Sequence, residues 1–151
     1  MNTGDTAPDF TLRDQHGVER TLSGMLEGGP VVLFFYPAAM SKGCTKESCH
    51  FRDLAGEFAA VGALRVGISM NCVERQAHFD EKYALDYPLL ADVGGLVAKY
   101  YGVKRPMNLL KVKRTTFVID TNQSILEVVR SELNMDTHAD RALEFLRANR
   151  S

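Results

Sequence analysis

The chain has 151 residues, and its 25% of charged and 45% of hydrophobic residues are the balance of a globular protein with a packed core. We expect a single domain spanning residues 1–151. The net charge of -1 gives no reason to expect a nucleic-acid partner. No apolar run approaches the roughly 18 residues of a membrane helix, and residues 1–23 lack the apolar stretch of a secretory signal. We therefore expect a cytoplasmic protein without a membrane partner.

The first half of the sequence predicts a hairpin, a buried strand and a helix. Apolar residues at 10–12 and 18–22 flank the turn sequence Asp-Gln-His-Gly, which is typical of a short N-terminal β-hairpin. The apolar run at 31–36 is too short for an ordinary helix and predicts a strand buried on both faces. Helical spacing of apolar residues then predicts one helix from Thr45 up to Gly62.

The second half predicts the remaining elements: helices over 73–83, 95–101 and 136–147, and strands over 65–69, 115–120 and 125–129. Two buried strands separated by a helix imply a right-handed parallel crossover. The last two strands form a hairpin, which adds an antiparallel edge. The expected architecture is therefore an α/β thioredoxin-like fold, a central mixed sheet flanked by helices, with an N-terminal β-hairpin extension.

The segment 34–53, FFYPAAMSKGCTKESCHFRD, contains Cys44 and Cys49. Cys44 falls in the first turn of the predicted helix, just beyond a buried strand. At a helix N-terminus, unpaired backbone N–H groups and the helix dipole stabilise an anion, and a cysteine thiol there can have a pKa of roughly 3.5–7.5 instead of about 8.5. Cys44 is therefore a candidate nucleophile, and Cys49 is a candidate partner for it.

The spacing of the two cysteines constrains how they can react with each other. Five residues of α-helix rise about 7.5 Å and turn roughly 140° beyond a full turn, so the two side chains point to nearly opposite faces. A disulfide needs its Cα atoms within about 6.8 Å of each other. If Cys44 and Cys49 form a disulfide, the first turns of the helix must unwind.

The residues alone leave several interpretations of the pair open. A thiol–disulfide oxidoreductase is one, although such enzymes use Cys-x-x-Cys and place a cis-proline before the facing strand, and no proline directly precedes 115–120. A redox sensor or holdase, whose disulfide switches a binding surface, is another. A zinc site is disfavoured because Cys44 and Cys49 lie on opposite helix faces and only His50 adds a third ligand.

Several motifs resemble those of the peroxiredoxins. Pro37, Ser41 and Cys44 fit the pattern P-x-x-x-[TS]-x-x-C. GCTKESC at 43–49, followed by FRD, is similar to the bacterioferritin comigratory protein or peroxiredoxin Q subfamily, and the resemblance extends over nearly the whole chain through the motifs GDTAPDFTL at 4–12, GVKR at 102–105 and RTTFVID at 114–120. The subfamily more often has threonine at the position of Ser41 and proline at that of Lys42, and serine keeps the hydroxyl group.

The resemblance implies a thiol peroxidase that reduces hydrogen peroxide and organic hydroperoxides without a metal or organic cofactor. Cys44 would be the peroxidatic cysteine, and Cys49 would resolve its sulfenic acid as a disulfide. Ser41 would hydrogen-bond the peroxide, Arg114 would stabilise the thiolate and the transition-state charge, and Pro37 would shield the sulfenic acid. Thioredoxin or a similar dithiol protein would reduce the disulfide. Monomers and dimers both fit the subfamily, so we expect a monomer or weak homodimer.

Other residues receive simpler interpretations. Cys72 lies in a strand-to-helix loop and is interpreted as a bystander thiol, with an auxiliary redox role as the alternative. Glu47, one turn after Cys44, could order the helix start through backbone or arginine contacts, although its charge alone would oppose formation of a thiolate at Cys44. The apolar patch 107–110 is expected to pack over the core, or to form a wall for bulky hydroperoxides or a docking patch for a reductant. Four further polar side chains are expected at the surface: Lys42, His16, His78 and His138.

Overall fold

A computed structural model describes residues 1–106 and 112–149. The strands are β1 (Thr11–Arg13), β2 (Glu19–Thr21), β3 (Val31–Phe35), β4 (Leu64–Ser69), β5 (Leu89–Ala91), β6 (Thr115–Ile119) and β7 (Ile125–Arg130). The helices are α1 (Leu22–Leu26), α2 (Lys42–Asp53), α3 (Ala55–Ala60), α4 (Val73–Tyr83), α5 (Leu96–Tyr100) and α6 (Asp136–Ala148). None of the helices in these two ranges is long and apolar enough to cross a membrane.

The seven strands found among the described residues form one mixed sheet in the order β2-β1-β5-β4-β3-β6-β7. The strands β3, β4 and β5 are parallel, and β6 and β7 add an antiparallel edge beside β3. The N-terminal hairpin joins the opposite edge through the pairing of Arg13 with Ala91. The expected thioredoxin-like α/β fold with a hairpin extension is thereby confirmed.

The central strand β3 is buried on both faces, as its continuous apolar sequence predicts. Its side chains alternate between two halves of the core. Leu33 and Phe35 pack in the half that includes residues of α1 and α5, whereas Val32 and Phe34 pack in the half covered by α2, α4 and α6. Cys44 belongs to the second half, so the helix that carries it is held against the sheet by buried aromatic rings.

The prediction of one helix from Thr45 to Gly62 is wrong, because the chain forms two helices that meet at Leu54. The backbone of Leu54 leaves the helical region, with φ -96° and ψ 21°. The guanidinium of Arg65 donates to the carbonyl of Phe51 at 2.8 Å, a carbonyl that an uninterrupted helix would use internally. The side chain of Ser41 caps the first helix, which therefore starts before Thr45.

Two short elements, α1 and β5, were not predicted. Strand β5 has three residues and α1 has five, which is too few for either periodic pattern to show. Strand β5 pairs with β4 in parallel. Because parallel strands need a long crossover connection, the two strands lie far apart in the sequence. Neither local sequence nor hydrophobic spacing encodes that pairing.

Replacing Phe51 by alanine should lower the free energy of unfolding by about 3–5 kcal/mol. The ring of Phe51 is fully buried and stacks on Phe34 with a centroid separation of 4.1 Å. Urea unfolding of the reduced protein measures the loss. Tyr100→Ala is the control, since Tyr100 is 54% exposed and its removal should change stability by less than about 1 kcal/mol. Equal losses in the two variants would contradict this assignment of the core.

Candidate active site

The register of the sheet determines which residues meet at the edge of β3. Phe35, the last residue of β3, pairs with Thr115, the first residue of β6. Arg114 precedes Thr115 and therefore lies beside the end of β3, where the chain turns towards α2. Cys44 is the third residue of α2. The antiparallel pairing thus brings together two residues that are seventy positions apart in the sequence.

The loop between β3 and α2 positions the start of the helix. Met40 adopts a φ of 73°, a left-handed conformation that costs a non-glycine residue roughly 1–2 kcal/mol. Ser41 follows as the N-cap, and its hydroxyl donates to the carbonyl of Ala38 at 2.9 Å and accepts from the N–H of Cys44 at 3.4 Å. Pro37 is partly buried at the start of this loop. Pro37, Ser41 and Cys44 therefore lie on one short, constrained segment.

A polar network that the sequence did not predict links the same loop to the end of the neighbouring strand β4. The side-chain oxygen of Asn71 accepts from the N–H of Ala39 and from the hydroxyl of Ser69, both at 2.8 Å. Gln76 donates to the Ser69 hydroxyl and accepts from the hydroxyl of Tyr36. In the sequence, this network is indicated only by Gln76, which places a side-chain amide in the first turn of the helix that follows a buried strand.

The sulfur of Cys44 is fully buried and lies 3.2 Å from Nη2 of Arg114. Arg114 itself is only 7% exposed. A side chain at Gly43 would crowd this contact, since a Cβ there would lie 3.4 Å from Nη2 of Arg114 and 3.3 Å from the sulfur of Met135. A glycine before Cys44 therefore leaves room for the guanidinium to reach the sulfur.

The other arm of the Arg114 guanidinium binds Glu47, with Nη1 2.6 Å from Oε1. Glu47 is fully buried, and burial raises the pKa of its carboxyl to about 8 although the charge of Arg114 acts in the opposite direction. Burial also opposes the charge of Arg114, but Glu47 and the Cys44 sulfur outweigh it and raise the pKa of the guanidinium. Glu47 thus contacts an arginine, as expected, and does so beside Cys44.

His138 is completely buried, so the expectation that it lies at the surface is wrong. Its Nε2 donates to the carbonyl of Ser131 at 2.8 Å, and its Nδ1 lies 2.8 Å from the hydroxyl of Thr116. Since a carbonyl only accepts, Nε2 carries the proton, and Nδ1 of the neutral ring accepts from Thr116. Burial lowers the pKa of His138 and keeps the ring neutral. Its position in the first turn of an amphipathic helix resembled that of an exposed residue.

Oε2 of Glu47 is buried with no hydrogen-bond partner among the described residues, and it lies 3.7 Å from Nδ1 of His138. The arrangement is therefore a buried line of groups that runs from α6 to the sulfur. Its members, in order, are His138, Glu47, Arg114 and Cys44.

Cys49 lies further along α2 and is partly buried, whereas Cys44 is fully buried, as two cysteines on different helix faces should be. All three cysteines are free thiols. Burial raises the pKa of the Cys49 thiol. Cys72 is exposed in the loop before α4, and Lys42 is exposed as expected. The patch 107–110 lies outside the described residues.

Within the described ranges, no group of three or more potential ligands is arranged to hold a metal ion. His50, the third ligand considered for zinc, instead pairs with Asp140 of α6 at 2.7 Å. The site therefore consists of a thiol, a guanidinium, a carboxyl and the hydrogen-bonding groups of one loop.

A thioredoxin-like sheet that brings an arginine onto a buried thiol at the start of a helix defines the class of thiol peroxidases. Comparison with known sequences leads to the same class, because residues 3–128 match the AhpC/TSA family. The chain belongs to the AhpC/TSA family and, within it, to the peroxiredoxins of the Q or bacterioferritin comigratory protein type. It is accordingly a peroxidase.

Three relatives illustrate the similarity. The crystal structure of peroxidoxin BcpB from Mycobacterium tuberculosis is 61% identical, with a TM-score of 0.97 over 100% of this chain and 99% of that one. The chloroplastic peroxiredoxin Q of Sedum lineare is 39% identical over 98% of this chain and 79% of its own. The bacterioferritin comigratory protein of Xanthomonas campestris, described for its alkyl peroxide reduction activity, is 26% identical, with a TM-score of 0.86 over 94% and 92% of the two chains.

Replacing Arg114 by lysine should lower the free energy of unfolding of the reduced protein by about 1.5–3 kcal/mol, the value of one hydrogen bond to a charged group. Lysine keeps the charge but lacks the planar fork that contacts Glu47 and Cys44 together. Arg75→Lys on the exposed face of α4 is the matched control and should be neutral. Urea unfolding that finds Arg114→Lys as stable as the control would show that the two contacts do not hold the site together.

Proposed function

We propose that this chain reduces hydrogen peroxide and organic hydroperoxides through a sulfenic acid at Cys44. The thiolate attacks one peroxide oxygen, the O–O bond breaks, and the released oxygen leaves as hydroxide or alkoxide that takes up a proton. The observation that supports this most directly is the 3.2 Å contact between the Cys44 sulfur and the Arg114 guanidinium. The alkyl peroxide reduction of the Xanthomonas campestris relative favours organic hydroperoxides as substrates.

Three further residues would complete the peroxide step. Arg114 holds the thiolate and stabilises the charge that develops on the leaving oxygen. The hydroxyl of Ser41 orients the peroxide, and this role is compatible with its capping bond to the N–H of Cys44. Pro37 shields the sulfenic acid from solvent. The reaction needs no metal or organic cofactor, because the two electrons come from the thiol.

Cys49 would resolve the sulfenic acid as an intramolecular disulfide, with loss of water. Five residues of helix separate the two thiols, so α2 must unwind between them before the sulfurs meet. The raised pKa of Cys49 keeps it a thiol while the helix is wound, and unwinding exposes it. Thioredoxin or a similar dithiol protein would then reduce the disulfide. The protein would serve antioxidant defence and redox homeostasis in the cytoplasm, as a single-domain monomer or weak homodimer.

The variant Cys44→Ser should lose peroxide turnover completely, because serine cannot supply the two electrons. Steady-state consumption of hydrogen peroxide with thioredoxin, its reductase and NADPH measures the rate. Cys72→Ser is the matched control and should keep the rate of the unmodified protein, since Cys72 lies exposed in another loop. Retained turnover in Cys44→Ser would remove Cys44 from the peroxidatic role.

The variant Cys49→Ser should consume one equivalent of peroxide and then stop in the presence of thioredoxin, because its sulfenic acid has no internal partner. A dimedone adduct on Cys44, located by peptide mass spectrometry, should accumulate in this variant. Normal cycling of Cys49→Ser with thioredoxin would show that another thiol resolves the sulfenic acid. The double variant with Cys72→Ser tests whether that thiol is Cys72.

A further inference from the structure

Glu47 lies between the two cysteines on the segment that has to unwind. It is three residues after Cys44 and two before Cys49, and its carboxyl is fully buried. The Cα atoms of a disulfide lie within about 6.8 Å, whereas five residues of helix rise about 7.5 Å, so the intervening residues must leave the helical conformation. The disulfide state therefore cannot keep Glu47 in the place that it occupies in the wound helix.

In the wound helix, Glu47 holds the guanidinium of Arg114 in contact with the Cys44 sulfur. Oε1 of Glu47 and the Cys44 sulfur contact the two terminal nitrogens of the same guanidinium, at 2.6 and 3.2 Å. Oε2 has no hydrogen-bond partner among the described residues and faces Nδ1 of His138 at 3.7 Å. A carboxylate oxygen left unpartnered in the core is costly, and a proton on the carboxyl reduces that cost.

We propose that Glu47 is a positioning residue that holds Arg114 on the Cys44 sulfur while it carries a proton, and that it releases this proton to water when α2 unwinds to form the disulfide. The inference rests on the resolving role proposed for Cys49. In the covalent step, the sulfenic acid of Cys44 and the thiol of Cys49 give the disulfide and one water molecule. The Glu47 carboxyl separately becomes a solvated carboxylate and a proton.

The direction of the pH dependence follows from the two states of Glu47. In the wound helix burial raises its pKa to about 8, and in the unwound segment the pKa returns to the ordinary value of 4.5. Between these values the wound, reduced state binds one more proton than the disulfide state. Lower pH within this window therefore favours the reduced state, and rising pH favours the disulfide. Above about 8 and below about 4.5 the effect of Glu47 ends.

The other titratable groups that surround Glu47 do not produce the same pH dependence. Burial raises the pKa of Tyr36 and Tyr87 and lowers the pKa of His138, and a lowered pKa gives the opposite pH dependence. Arg114 stays charged, and Glu132 is paired with Arg105 at the surface. Cys44 itself is common to every variant compared. The facing groups, taken from all the elements packed around Glu47, are Arg114, His138, Cys44, Glu132, Tyr36 and Tyr87.

The test is the equilibrium between the Cys44–Cys49 disulfide and reduced dithiothreitol, measured at pH 5.5, 6.5 and 7.5 in a Cys72→Ser background. Alkylation and peptide mass spectrometry give the fraction of disulfide, and hence the oxidation equilibrium constant. The ratio of this constant in the parent to that in Glu47→Gln should rise by up to about tenfold per pH unit. Glu74→Gln, an exposed residue of α4, is the matched control and should follow the parent.

A ratio that stays constant within twofold across this pH range would overturn the inference while leaving the resolving role of Cys49 intact. Absence of a Cys44–Cys49 disulfide in every variant would overturn that role and the inference together. The parent protein gives a second readout that does not depend on the folding of Glu47→Gln. Its reduced form at pH 6.5 should show the infrared band of a protonated carboxyl that the disulfide form lacks, and an unchanged band would contradict the proposal.

Discussion

A single guanidinium, that of Arg114, holds two buried side chains of α2 in place at the end of the central strand β3. Arg114 contacts the Cys44 sulfur with one nitrogen and Glu47 with the other, in surroundings from which water is excluded. Because burial raises the pKa of Glu47 to about 8, its carboxyl is mostly protonated at neutral pH and leaves the positive charge of Arg114 largely unneutralised beside the sulfur.

The register of the sheet, and not a flexible loop, places Arg114 beside the start of α2. The antiparallel pairing of β3 with β6 fixes Arg114 beside the end of β3, and the cap at Ser41 fixes the direction in which α2 leaves it. Asn71 ties the intervening loop to β4. The proposed cycle requires α2 to change conformation, and the same buried Glu47 that contacts Arg114 also opposes that change.

The sequence was sufficient for the parts of the molecule that are locally encoded. It predicted the buried strand β3, the position of Cys44 in the first turn of a helix, the final hairpin and the thioredoxin-like order of elements, and family motifs indicated Ser41 and Arg114. It failed where tertiary contacts decide the outcome. The break at Leu54 depends on Arg65 from another element, β5 exists only through its pairing with β4, and the burial of His138 depends on Ser131 and Thr116. Such long-range contacts leave no periodic pattern in the sequence.

Rapid-quench mass spectrometry of the reduced protein after one equivalent of hydrogen peroxide tests whether Cys44 is an activated thiol that Cys49 resolves. We expect the loss of two hydrogens within seconds, mapped to a disulfide between the peptides of Cys44 and Cys49. Protein that stays fully reduced for many minutes would contradict it, because a thiol held by Arg114 for peroxide chemistry would have reacted in that time.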